Sequence, residues 1–203
     1  MTSSRIGYWF FAISSALVAL ASLRVLVAPL EVVMDHMAHY LPDLPLALYG
    51  HILLAPLALI LAPLQFWTGL RVARPGLHRW TGRLYGGAVL IAAVSSLAML
   101  PVFLGSVWAM TGFLLLAILW IVFTALGVAQ AWQGNFAAHR AWMLRSVALT
   151  FAAVMLRIYM APMVASGWTV VETYDVTAWA SWVPNLLAVE WALRRRSAAA
   201  IRV

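Results

Sequence analysis

Six stretches, at about 7–29, 46–68, 82–104, 107–130, 143–166 and 178–193, carry no more than two charged residues each. A helix rising 1.5 Å per residue needs roughly twenty apolar residues to cross a ~30 Å hydrocarbon core, and each stretch has about that length. In lipid the backbone must satisfy its own N–H and C=O groups, which a helix does within one segment. The expected fold is therefore all-α, an integral membrane bundle of six transmembrane helices forming a single domain over residues 1–203. Composition agrees: 65% of residues are hydrophobic, 9% are charged and the mean hydropathy is +0.94. A soluble domain holds roughly 45–50% apolar residues.

The basic residues orient the bundle. All thirteen are Arg. Arg71, Arg74 and Arg79 fall between the second and third stretches, Arg140 between the fourth and fifth, and Arg194, Arg195, Arg196 and Arg202 in the tail. The alternate connections carry Glu31, Asp35 and Asp43, and then Glu172 and Asp175. Basic loops remain cytoplasmic, so both termini are expected in the cytoplasm. The net charge of +7 then sits mostly on one membrane face and calls for no nucleic acid. The partner it implies is the lipid bilayer, whose headgroup zone also suits the many Trp near expected helix ends. Arg5 and the small-x-small triplet Ala19-Leu20-Ala21 resemble a cleaved leader, but the apolar run continues to about Leu30, and it is read as the first span. Without cysteine, disulfides and thiolate metal sites are excluded.

One motif is written twice. LHRWTGRLY (77–85) returns as AHRAWMLRS (138–146), each after a helix ending in Gln65 or Gln130 and each opening the next apolar run. With YGHILLAPLALILAPLQF (49–66) preceding them, these segments resemble, over about residues 46–160, a family of bacterial multi-pass membrane proteins known only as a domain of unknown function. The resemblance implies a bacterial inner-membrane protein with His51, His78, Arg79, Arg83, His139, Arg140, Arg145 and Arg157 as its signature, and it implies no activity. In general plan the chain is also similar to b561-type haem cytochromes, a likeness that implies haem b held between histidines of a helical bundle.

Spacing groups these residues. His139 and Arg157 lie eighteen residues apart, five whole turns, so an early-starting fifth helix places them on one face with Ser146, Thr150 and Ala153. In the second helix His51, Ala55, Ala58, Ala62 and Gln65 recur as a stripe of small and polar residues. Such a stripe admits either a close helix neighbour or a flat cofactor. His51 and Arg157 fall toward the outer side, and an ionisable group inside a span is costly and tends to be functional. Arg157, always charged, needs a partner there. His78 and His139 fall at the cytoplasmic level, on the order of 25 Å from His51, so His51 shares no metal with them. These two are the candidate metal ligands of a haem clamp, with Arg79 or Arg140 on the propionates. His36 and His39, at i and i+3 in an acidic loop, suit a metal if that loop is helical and are otherwise solvated. Glu190 is expected to pair with Arg194 one turn on.

Three function classes follow. The leading expectation is a haem b electron carrier exchanging electrons with quinone or another redox partner. The alternatives are a small-molecule or proton-coupled transporter, and a non-catalytic component binding lipid or a partner protein. No Ser-His-acid arrangement or intramembrane carboxylate pair points to hydrolysis.

Overall fold

The computed structural model describes residues 3–201, with side chains described for 5–195. Among the described residues the chain is helical, without a strand. The α-helices are α1 (Ser3–Ser22), α2 (Leu30–Val33), α3 (Pro45–Phe66), α4 (Thr68–Ala73), α5 (Pro75–Met99), α6 (Val107–Trp132), α7 (Phe136–Thr150), α8 (Ala152–Ala165), α9 (Val170–Ala180) and α10 (Val183–Ile201). Five stretches are long and apolar enough to cross a membrane: Arg5–Leu26, Pro45–Phe66, Pro75–Val102, Val107–Trp132 and Phe136–Ala165. The sixth expected stretch, 178–193, straddles α9 and α10, which part at Ser181 and Trp182 just before Pro184. Proline brings no N–H to the ladder, and the arginines that close α10 lower its apolarity.

Two boundaries also shift. The third and fifth spans begin at Pro75 and Phe136, about seven residues ahead of their apolar runs. Pro75 takes the first turn of α5, where a missing N–H costs nothing, and the Asn135 side chain caps α7 by accepting from the Ala138 N–H. Both starts are basic and polar, so apolarity alone places them in loops. Gly134, at φ 74°, makes the tight turn that closes α6 and lets α7 fold back.

By contacts the chain divides into two compact units, Met1–Leu104 and Gly105–Val203. In the first, α1, α3 and α5 run antiparallel in turn. The Tyr8 hydroxyl donates to the Pro63 carbonyl, joining the start of α1 to the end of α3. Gln65 donates to Thr81 at 2.8 Å, joining that same end of α3 to the start of α5. At the other end Gly50 lies against α5 so closely that a Cβ there would collide with the Ser95 hydroxyl. With Ala58 and Ala62 fully buried, the small-residue stripe of α3 is used for close packing.

In the second unit, α6 is antiparallel to α7–α8, and α9–α10 returns alongside both. The Trp108 and Trp179 rings stack with centroids 4.7 Å apart at the start of α6, while Arg145 and Glu190 join the middle of α10 to α7. The unit shows apolar side chains outside and encloses a set of hydroxyls within an otherwise apolar core. Leu115, Ile118, Val122 and Leu126 of α6 are exposed, whereas Ser146, Thr150, Thr173, Thr177 and Ser181 are buried. That inversion suits a solvent of lipid, in which hydroxyls must find partners inside the protein.

Candidate functional site

The second unit holds a column of polar side chains. Thr124 donates its hydroxyl to the Trp120 carbonyl one turn back, which leaves its oxygen to accept from Ser146 at 2.7 Å. Thr150 likewise donates to the Ser146 carbonyl and accepts the indole N–H of Trp120 at 2.9 Å. These bonds tie α6 to α7 among buried side chains. Beside them runs a second series with a spacing of four: Thr173, Thr177, Ser181 and Asn185. Thr173 and Thr177 donate to carbonyls of their own helix. Ser181 is 0% exposed, and its hydroxyl has no hydrogen-bond partner among the described residues. Asn185 donates to the Ser181 carbonyl at 2.8 Å and across to the Ala148 carbonyl of α7 at 3.3 Å.

Asn185 donates to a carbonyl at the break between α7 and α8. An unbroken helix reserves the Ala148 carbonyl for the N–H of residue 152, so a side-chain donor there loosens the ladder, aided by back-bonding from Thr150. Past the break the expected face is lost. Ser146 and Thr150 are buried but Arg157 is exposed, and its Nη1 donates to the Ala153 carbonyl of its own helix at 2.8 Å. The reading that Arg157 points inward with Ser146 and Thr150 is thereby corrected.

At one end of the column Arg145 grips Glu190 with two bonds, Nε to Oε1 at 2.5 Å and Nη2 to Oε2 at 3.0 Å. The guanidinium also lies 4.6 Å from the Trp142 ring centroid. Both partners are largely withdrawn from solvent, with side chains 18% and 30% exposed. Glu190 thus takes Arg145 as its hydrogen-bonded partner, not Arg194 as its spacing suggests, because a fork from a neighbouring helix offers two parallel bonds. At the other end an open depression of ≈ 370 Å³ is lined by Ser166, Gly167, Trp168, Glu172 and Asp175. Asp175 accepts from the Ser106 hydroxyl, and its carbonyl accepts from the Trp108 indole. Glu172 closes a capping box with Thr169, whose backbone and hydroxyl bonds hold the carboxyl below its ordinary range.

The duplicated motif has a shared register. His78 and His139 are each the fourth residue of their helix, both half-buried, and are followed by the exposed Arg79 and Arg140. In each copy an Arg lies over the Trp three residues before it, Arg83 over Trp80 at 5.4 Å and Arg145 over Trp142. His139 turns Nδ1 toward the Gly127 carbonyl at 2.8 Å, and His51 turns Nδ1 toward the Ala92 carbonyl at 3.0 Å. A carbonyl only accepts, so both imidazoles carry their proton on Nδ1 and keep Nε2 as the basic nitrogen.

The residues that sequence reading missed are Ser181 and Asn185, together with the partner of Glu190. The i, i+4 spacing of Thr173, Thr177, Ser181 and Asn185 was the available signal, since such a stripe has no place facing lipid.

A helical chain with apolar side chains outside, buried hydroxyls within and several stretches long and apolar enough to cross a membrane defines a multi-pass membrane protein. The chain belongs to the family described as "Predicted membrane protein (DUF2306)", whose model matches residues 48–193. That match takes in both His-Arg motifs and runs through Glu190. No curated protein and no solved structure matches the chain.

Proposed function

We propose that the chain is a proton-coupled carrier of the bacterial inner membrane that crosses six times, with both termini in the cytoplasm. The observation that carries this reading is the Arg145–Glu190 pair at the end of the polar column. The sixth crossing is supported by α9–α10 meeting α6 beside Trp108 at one end and α7 beside Arg145 at the other. Thr173 and Glu190 are seventeen residues apart, on the order of 25 Å along a helix, which is most of a bilayer core.

The chemistry is an ionic latch. As a carboxylate, Glu190 holds Arg145 by two charge-assisted bonds and fixes α10 on α7. A proton bound at Glu190 removes that charge and one acceptor. Arg145, still charged, keeps its contact with Trp142 but releases α10. Ser181, with a buried hydroxyl free to take a water, lies on the route between the acidic depression and the latch. The test is reconstitution. Liposomes containing the protein and an internal pH-sensitive dye should acidify under an imposed proton gradient faster than protein-free liposomes, and equal rates would defeat the reading.

A haem b reading keeps one observation in its favour, the fixed Nδ1 protons of His51 and His139, which leave Nε2 as the basic nitrogen toward an iron. The close packing of α3 on α5 weighs against a macrocycle between those two helices. In this reading His51, His78 or His139 would each be an iron ligand within its own unit, with a nearby Arg79, Arg140 or Arg157 for propionates, and the bound group would supply one-electron chemistry toward a quinone. A Soret band in detergent-purified protein that disappears in His139→Ala supports it; a colourless protein purified from haem-supplied cells excludes it.

A further inference from the structure

The connection between α1 and α3 folds into a 3-10 helix over Asp35–Tyr40, so the loop that holds His36 and His39 is helical. In a 3-10 helix residues three apart eclipse one another. Met37 and Tyr40 therefore share one edge and His36 and His39 the next, while Met34 leads into the helix as its N-cap. Met34 and Tyr40 are buried in one cluster with Met99, and Met37 packs against it. The His39 ring lies 3.9 Å from the Tyr40 ring, at the margin of this cluster. Its Nε2 is buried and has no hydrogen-bond partner among the described residues. A buried polar nitrogen without a partner is rare in a native fold and calls for a reason.

The choice of ion follows from the donors. Among the described residues no group of three His, Cys, Asp or Glu is placed to hold a metal, so the ligand set of zinc or of a hard divalent cation is missing. Imidazole nitrogen and thioether sulfur are what remain, and thioether is a soft ligand that selects monovalent copper. We propose that residues 34–39 form a binding site for a soft monovalent cation of the Cu(I) class. His39 Nε2 is the nitrogen donor, Met34 and Met37 supply sulfur, and exposed His36, one 3-10 turn before His39, receives the ion at the surface. The ordinary alternative is a core in which methionines fill irregular gaps and His39 only stacks on Tyr40.

The test uses full-length protein in detergent, with Ag(I) or Cu(I) offered against a chromophoric chelator. The parent should withdraw one equivalent, with no comparable uptake of Zn(II). His39→Ala and Met37→Leu should each weaken binding by ten-fold or more. Leu closely matches Met in volume, so Met37→Leu should keep the parent's thermal midpoint and separate ligand loss from unfolding. Parent affinity in either variant, or no competition by the parent, overturns the proposal.

Discussion

Arg145 and Glu190, forty-five residues apart in sequence, meet through two parallel bonds that fasten the middle of α10 to the second half of α7. Exposed ion pairs contribute ~0–1 kcal/mol and breaking a buried one costs ~3–5 kcal/mol. This pair, mostly but not fully withdrawn from solvent, falls between the two. Arg145→Ala and Glu190→Ala should each destabilise the protein by about 2 kcal/mol, read as a lowered thermal midpoint in detergent. The double variant should lose less than the sum of the two, and strict additivity would contradict a direct pair. Arg145→Lys, which keeps charge without the fork, should recover only part of the loss.

Asn185 should determine the break at Phe151. Its replacement by Leu removes the donor to Ala148, so residue 152 regains that acceptor and α7 should join α8. Hydrogen exchange over residues 148–155 should then slow. Unchanged exchange there would show that the break has another cause.

The start of α9 should depend on pH. Glu172 is held below its ordinary carboxyl range by the bonds from Thr169, so the folded pKa lies beneath the unfolded one. The stabilisation is fully present above the unfolded value, ~4.3, and is lost as pH falls through the depressed folded value. Exchange of the first-turn amides of α9 should quicken in that acid window for the parent, while Glu172→Gln should show the same exchange above and below it.

The proposed sixth crossing carries a topology consequence. A reporter fused after Arg195 should remain cytoplasmic, and reporters inserted near Asp43 or Gly167 should be exported. An exported carboxyl end would leave five crossings and remove α9–α10 from the membrane.

What the sequence discloses divides by the kind of force involved. Apolar runs and the arginine pattern disclose the spans at Pro45–Phe66 and Val107–Trp132 almost to the residue, because burial in lipid is a property of composition. The starts at Pro75 and Phe136 escape that signal, since the helix continues past the apolar run through capped, basic turns. The face shared by Ser146 and Thr150 was legible from a period of 3.6, but its extension to Arg157 was not. That extension assumes an unbroken helix, and the break falls where Asn185, more than thirty residues later in sequence, bonds the Ala148 carbonyl. Glu190 shows the same limit: a partner at i+4 is visible in sequence, and a better-oriented fork on another helix is not.

Glu190→Gln tests the central claim most directly. The substitution keeps the shape and one acceptor while removing the charge and the proton site. In dye-loaded liposomes carrying equal amounts of folded protein, proton flux should fall at least ten-fold from the parent to Glu190→Gln. Parent-level flux in the Gln variant would contradict the account.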